Sequence, residues 1–346
     1  MRRAALGLTL AVMAVAAVAL SLYSPYRGFA GETFVEVPRG TSSLGVSRLL
    51  ASTGVVRYGW QFLAVRALRP AAKLHAGEYR FDHPANVWEV LDRLARGDVF
   101  YYDLRVPEGS NLFEIAAALD KLGVIPGEDF LIAARDTSPI RDLSPGARTL
   151  EGYLFPDTYR ITRRTTAAQL CGQMTRRFRQ AWAELGARQP VHSIVTLASL
   201  VEEETARDEE RPVISSVFNN RLARGMPLDC DPTAIYAALL DGRYRGGIFR
   251  SDLESKNRYN TYQYGGLPPG PISNPGLASL KAAMQPADTS YFYFVVRPDG
   301  SGTHEFSREL EAHQRAVARY RRGNHKANQA RPSRPVPRRN AARPNH

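Results

Sequence analysis

The chain has 346 residues, 44% of them hydrophobic, which is enough for two or three domains with real cores. Its formal charge of +12 would suit nucleic acid, but eight Lys or Arg fall in residues 321–346 with no acid and no Phe, Trp or Tyr among them. That argues against a nucleic-acid surface and leaves the folded part only mildly basic. Two cysteines exclude a disulfide framework, no Cys and His cluster has zinc-ligand spacing, and no glycine-rich phosphate loop occurs, so neither metal nor cofactor is expected.

Arg2 and Arg3 precede an uncharged run from Ala4 to Tyr23, the length of a membrane-crossing helix. The arginines predict that residues 1–3 are cytoplasmic and that everything after Tyr23 lies outside. Ala17-Val18-Ala19 also resembles a cleavage site, so a removed signal peptide competes with an anchor over residues 4–23. The run exceeds a typical signal core and continues past that site, which favours the anchor.

A weak repeat follows. Val35-Glu36-Val37-Pro38-Arg39-Gly40-Thr41 leads into Leu44, Val46 and Leu49 and then Gly54-Val55-Val56. The same order returns 69 residues later as Leu104-Arg105-Val106-Pro107-Glu108-Gly109-Ser110, then Phe113, Ile115 and Ala118, then Gly123-Val124-Ile125. Each copy predicts a strand, a Pro-x-Gly turn, a capped amphipathic helix and a glycine stop. Between them, Gly77 to Phe81 predicts a strand, and Val87 to Leu94 a helix with Trp88 and Leu91 inward. Residues 24–145 are therefore expected to form one small α+β module. Its order of elements resembles the LysM-like modules that bind polymeric amino sugars; a generic α+β spacer fits the same pattern.

From about Gly146 the composition changes, and residues 146–320 are expected to form a second, mixed α/β domain. Glu151 to Tyr159 is dense in aromatics and turn formers. Helices are predicted over Thr166 to Leu185, Val191 to Thr205, Arg211 to Ala223 and Pro232 to Leu240. Asn257 to Pro275 is rich in Asn, Tyr, Gly and Pro and reads as a long functional loop. A strand from Tyr291 to Val296, then His304-Glu305-Phe306-Ser307 and a closing helix, complete the domain. The proline-rich basic tail, 321–346, has little to bury and is expected to be disordered. The fold class expected is thus α+β: a membrane helix, a small LysM-like module and a mixed catalytic domain.

The run Leu197-Ala198-Ser199-Leu200-Val201-Glu202-Glu203-Glu204-Thr205 is the most informative stretch. With Val201 at zero and about 100° per residue, Glu202 falls between Ala198 and Val195, and Glu204 between Leu197 and Leu200. Glu203 joins Ser199 and Thr196 on the polar side. A carboxyl bordering apolar surface loses hydration and keeps its proton longer, as a general acid requires. A solvated acidic helix end has the same spacing, and only the surrounding sequence decides.

Glu151-Gly152-Tyr153-Leu154-Phe155-Pro156-Asp157-Thr158-Tyr159, Ala198 to Glu202, Ser216-Val217-Phe218-Asn219-Asn220-Arg221-Leu222, Asp231-Pro232-Thr233, Tyr259-Asn260-Thr261-Tyr262, Gly266 to Ile272 and His304-Glu305-Phe306 occur here in one order. This resembles the MltG (YceG-like) family of endolytic murein transglycosylases, from the anchor to about Tyr320. The resemblance implies a single-pass inner-membrane protein whose catalytic domain faces the periplasm. It implies cleavage of peptidoglycan glycan strands between N-acetylmuramic acid and N-acetylglucosamine, leaving 1,6-anhydro ends and terminating nascent strands beside peptidoglycan synthases. The family's catalytic glutamate falls on Glu202; Glu203 stands where the family usually has lysine.

The chemistry is consistent with one acid. Attack by the muramic C6 hydroxyl on its own anomeric carbon needs no water, so one carboxyl can protonate the leaving oxygen and later take the hydroxyl proton. Tyr259, Asn260 and Tyr262 are candidate sugar contacts, although Asn260 also suits an Asx turn. Glu204 is expected to pair inside the domain, with Arg221 the candidate partner. Glu151 and Asp157 suit capping or turn stabilisation better than transition-state support. A murein-binding scaffold without lytic activity is the alternative function.

Overall fold

The computed structural model describes residues 2–186 and 190–330, and these divide into two compact units. The first comprises residues up to Asp103 with Arg160–Arg164; the second comprises Leu104–Tyr159 and everything from Thr165.

In the first unit, α1 (Arg2–Tyr23) opens on two arginines, is uncharged from Ala4 onward, and is long enough to cross a membrane over Leu6–Tyr23. Its last turn joins the unit: Leu22 enters the core, and Gln61 Nε2 donates to the Ser21 carbonyl at 3.0 Å. Strand β1 (Thr33–Val37) pairs antiparallel with β2 (Gly77–Phe81), with Val35 opposite Tyr79. The alternation of the strands turns Val35, Val37, Tyr79 and Phe81 inward. Between them lie α2 (Ser43–Ser52), capped by Ser42, and α3 (Gly59–Leu68), which the sequence reading left unassigned. α4 (Val87–Arg96) opens on the Asn86–Glu89 capping box and stops at Gly97, whose φ of 70° suits glycine. Its inward residues are Val90, Leu91 and Leu94, while Trp88 is only half-buried.

The chain passes to the second unit within β3 (Tyr102–Val106), which pairs with β4 (Asp157–Ile161). Between these strands lie α5 (Leu112–Leu122), α6 (Gly127–Ala133) and a single 3₁₀ turn at Ser138–Ile140. Then follow α7 (Ala167–Glu184), α8 (Val191–Glu204), α9 (Arg211–Ala223), α10 (Asp231–Leu240), the short α11 (Arg250–Leu253) and α12 (Leu277–Met284). An antiparallel pair, β5 (Tyr293–Val296) and β6 (His304–Ser307), precedes α13 (Leu310–Ala330). α8 is the hub: α9, α10 and α12 all pack on it, and Val195 through Val201 are buried without exception. Its Ser199 and Thr196 were expected on a polar, open side. They are covered instead, and Ser199 Oγ accepts from the Ile272 amide at 3.1 Å.

The partition falls at Asp103/Leu104 rather than near Gly146, so the second repeat copy belongs with the helical unit. Buried polar ties explain this. Gly109 N donates to the Asn274 carbonyl at 3.0 Å, Asn274 Nδ2 donates to the Ser110 carbonyl at 2.8 Å, and the Leu112 amide donates to Glu151 at 3.0 Å. The backbone of α13 continues helically to Ala330, into the segment expected to be disordered; the rest of that tail, 331–346, lies outside the described residues.

Candidate active site

A cleft of about 750 Å³ opens in the second unit between the β3–α5 turn and the end of α8, bordered by Arg105, Glu108, Gly109, Glu114, Glu202, Glu203, Glu204 and Arg211. Gly109 holds φ 80°, and a Cβ there would meet Glu203 Oε1 at 3.1 Å and Glu202 Cγ at 3.6 Å. The turn therefore lies directly over the two acids and needs glycine for both reasons.

Glu202 occupies the last turn of α8, where unpaired helix carbonyls disfavour a negative charge. Two donors offset this. Arg211 Nη2 donates to Oε1 at 3.0 Å, and the amide of Gly276, which caps α12, donates to Oε2 at 2.8 Å from the positive end of that helix. The side chains of Glu202 and Arg211 are each 6% exposed, so the pair is sheltered yet borders the cleft. Arg211 also pairs with Asp208 at the surface. The expectation was a half-sheltered carboxyl beside apolar surface; the structure adds a guanidinium and a peptide amide to it.

The other carboxyls of the cleft experience different surroundings. Glu108 is displaced upward from the usual carboxylate range, first by burial of its carboxyl and then by the charge of Glu202, with Arg211 opposing. Glu203 is open to solvent as a residue, as expected, but its carboxyl is enclosed enough that burial pushes it up to about 7, against a hydrogen bond with Ser273. Burial likewise raises Glu204 to about 7, eased by a hydrogen bond with Cys230 and by the more distant charge of Arg221. Cys230, rather than Arg221, is thus the bonded partner of Glu204. Arg221 spends its donors on the carbonyls of Phe292, Leu228 and Pro227 and on Asp229. Cys171 and Cys230 are both buried and unpaired with one another.

None of the three expected sugar contacts borders this cleft. Asn260 is fully buried: its Nδ2 donates to the carbonyls of Asp252, Leu253 and Ser255, and its Oδ1 accepts from the Tyr262 amide. These bonds hold the 252–262 loop, the turn role that Asn260 also suits. Tyr259 lies tilted against Tyr236, ring centroids 5.2 Å apart. Tyr262 donates to Asp231 at 2.6 Å and borders a second, smaller cleft of about 420 Å³, which Glu204 also reaches.

Glu151 is a buried anchor, as the capping expectation held. It accepts from the Leu112 amide at the start of α5, from Tyr236 Oη at 2.8 Å and from Asn274 Nδ2 at 3.0 Å, and burial pushes it up to about 8. Asp157 sits at the surface beside Arg177. His304 Nδ1 meets Glu210 Oε2 at 2.7 Å in the interior. Among the described residues, no group of three His, Cys, Asp or Glu is arranged to hold a metal ion.

Sequence reasoning missed Glu108, Arg211 and Gly276. One signal was available: Glu108 takes the place of Arg39 in the otherwise parallel Val-Pro-x-Gly turns, a change of charge at a fixed position of a repeat.

The profile of the YceG-like family matches residues 35–319. A Bacillus subtilis (strain 168) protein named endolytic murein transglycosylase is 30% identical over 307 residues, covering 83% of this chain and 84% of that protein. A protein of the same name from Streptococcus pneumoniae serotype 2 is 28% identical over 324 residues, and the chain spans 58% of its length. The crystal structure of a yceG-like protein from Listeria monocytogenes superposes with a TM-score of 0.55 at 30% identity, over 82% of this chain and 98% of that one.

Proposed function

The chain belongs to the YceG-like family, and from that membership and the setting of Glu202 we propose an endolytic lytic transglycosylase of peptidoglycan, a lyase of the cell wall, with Glu202 at the reacting bond. The observation that carries this reading is a carboxyl 6% exposed, fixed through both oxygens and bordering a cleft of about 750 Å³. A fixed acceptor beside an open groove is what proton transfer to and from a polymer requires.

The substrate is the glycan strand, cut between N-acetylmuramic acid and N-acetylglucosamine. The C6 hydroxyl of the muramic residue attacks its own anomeric carbon and gives a 1,6-anhydro end. Intramolecular attack supplies a high effective concentration of nucleophile and spares the site a positioned water. Proton transfer by a held carboxylate contributes about 10²–10⁴-fold. Arg211 and the Gly276 amide keep Glu202 in one geometry and hold it as the carboxylate that accepts the hydroxyl proton.

On this reading α1 is a single-span anchor, and Arg2 and Arg3 in its first turn support a remainder on the periplasmic side of the inner membrane. Strand, two helices and strand in the first unit support the reading of a LysM-like module that holds glycan. The anchored position suits strands leaving a membrane-bound synthase, so termination of nascent strands is the role proposed.

The test is Glu202→Gln in the full-length protein on uncrosslinked strands, products resolved by mass. Loss of anhydro-muramic ends with an unchanged fold supports the assignment; unchanged release rejects it. Reducing ends from the wild type would indicate water attack. Murein binding without any product from the wild type would leave a scaffold.

A further inference from the structure

Two carboxyls approach Gly276 from different sides. Glu202 Oε2 takes the Gly276 amide at 2.8 Å. Glu108, from the turn after β3, lies against the α-carbon, so close that a Cβ on Gly276 would stand 2.0 Å from Glu108 Cδ and Oε1. With standard backbone dimensions, the two carboxyls are within about 7–8 Å of one another. Inverting glycosidases, which divide proton transfer between two carboxyls, use separations of roughly 6.5–9.5 Å.

Resting on the function proposed above, we propose that Glu108 is a second catalytic residue, donating the proton to the departing sugar oxygen while Glu202 receives the proton of the C6 hydroxyl. The hydrogen bonds assign these directions. Each oxygen of Glu202 accepts from an N–H, and neither a guanidinium nor a peptide amide can accept in return. These two donors occupy two of the carboxylate's four lone pairs and favour its charged form, and the remaining lone pairs can take the C6 hydroxyl proton. As an acceptor, Glu202 is ready without rearrangement.

Glu108 is the reverse case. Among the described residues no hydrogen-bond donor meets its carboxyl, it is open to the cleft, and it faces the charge of Glu202. Protonation relieves that repulsion, and burial favours it further, with Arg211 alone opposing among the groups that shift Glu108. Arg105, Glu114, Glu203 and Glu204 complete the charged border of the cleft. An unbonded carboxyl facing the cleft beside one held by two N–H donors is an arrangement in which acid and base can be separate groups.

The step balances. The proton of Glu108 moves to O4 of the leaving N-acetylglucosamine as the C1–O4 bond breaks and its electron pair stays on that oxygen. O6 then forms the C1–O6 bond, and its proton passes to Glu202. No water is consumed, and exchange with solvent through the open cleft returns both carboxyls to their starting states.

The experiment compares wild type, Glu108→Gln and Glu202→Gln as full-length protein on two substrates. One is the uncrosslinked strand; the other is an N-acetylglucosaminyl-muramic oligomer with a nitrophenyl aglycone, which departs without a proton. For Glu108→Gln the strand rate falls about 100-fold or more, the alkaline limb of the strand pH–rate profile disappears, and the aryl substrate is cut within about threefold of wild type. Glu202→Gln is inactive on both. A Glu108→Gln strand rate within about threefold of wild type, or an equal loss on both substrates with an unchanged thermal midpoint, overturns the proposal. Should that variant unfold, Glu108→Ala with added acetate as the external acid replaces it, and absence of rescue overturns the proposal. A wild type that releases no anhydro ends refutes instead the function on which it rests.

Discussion

Gly276→Ala separates the site from the fold. The backbone there has φ −75° and ψ 174°, which alanine adopts freely, so no strain enters through the main chain. Substitution gains about 0.4–1 kcal/mol by restricting the unfolded chain and loses about the same through the poorer helix cap. The net effect on stability stays within about 1 kcal/mol. The steric effect is local and large: the new methyl stands 2.0 Å from Glu108 Cδ and Oε1 and 2.5 Å from Oε2. Ordinary contact needs about 3.5 Å or more, so the carboxyl must retreat by about 1.5 Å or swing out of the cleft. Glu108 is exposed as a residue, only its carboxyl being partly enclosed at the cleft, so it can move, and the cost falls on position rather than on folding. Misplacing a reacting group by about 1 Å costs on the order of 100-fold, and the amide to Glu202 survives the change. The assay pairs a thermal melt with the rate of anhydro-end release. A melt within about 2–4 °C of wild type and a rate lowered about 100-fold are expected. Wild-type activity in the folded variant would refute the placement of Glu108 and with it the reasoning about the cleft.

The other substitutions address the scaffold. Gly152 has φ 86°, and a Cβ there would meet Pro271 Cγ at 2.4 Å, Pro271 Cβ at 2.5 Å and Val195 Cγ1 at 2.8 Å, none of which can step aside. Gly152→Ala should cost about 3 kcal/mol or more from left-handed strain and overpacking combined, and urea unfolding with a loss under about 1 kcal/mol would contradict this. Glu151, raised from 4.5 to about 8, binds its proton more tightly folded than unfolded, so its stabilising contribution is complete below about 4.5 and is lost as the pH rises through about 8. Glu203 and Glu204, raised to about 7, act in the same direction. Glu151→Gln removes the largest of these contributions but sets an amide against the Asn274 donor. The variant should therefore be less stable than wild type near pH 5 and close the gap by pH 8, by an amount on the order of a few kcal/mol. Urea midpoints across that range that run parallel for the two proteins would exclude Glu151 as the source.

Periodicity and caps made most helices of the second unit legible. α9 occupies Arg211–Ala223 as expected, and α7 starts after its Thr166 cap. α8 was legible for the same reason, and Glu202 with it, because a stripe of Val, Leu and Ala leading into acids reads at a distance of one helical turn. α3 was not. Its start at Gly59 follows a Tyr58, not a usual cap residue, and the side-chain tie at that start is the Tyr58 amide donating to Gln61 Oε1 at 3.1 Å. Asn260 was ambiguous because an Asn in a Tyr-rich loop has the chemistry of a sugar contact and of a turn; its bonds to the three carbonyls of 252–255 are those of a turn.

The partners of Glu202 set the limit of such reading. Arg211 lies nine residues along the chain and Gly276 seventy-four, while Glu108 stands ninety-four residues earlier in the copy of a repeat. Each reaches the acid through packing of separate elements onto α8. A helix wheel places a carboxyl on a face; it carries no information about which donors that face meets. The physical consequence is a reversal of role. From its apolar neighbours alone, Glu202 reads as an acid sheltered from water, whereas a guanidinium at 3.0 Å and a helix-capping amide at 2.8 Å make it an acceptor held for the C6 hydroxyl. The need for a donor then passes to the carboxyl that those groups leave unbonded, and the glycine between the two is the residue whose smallness permits both.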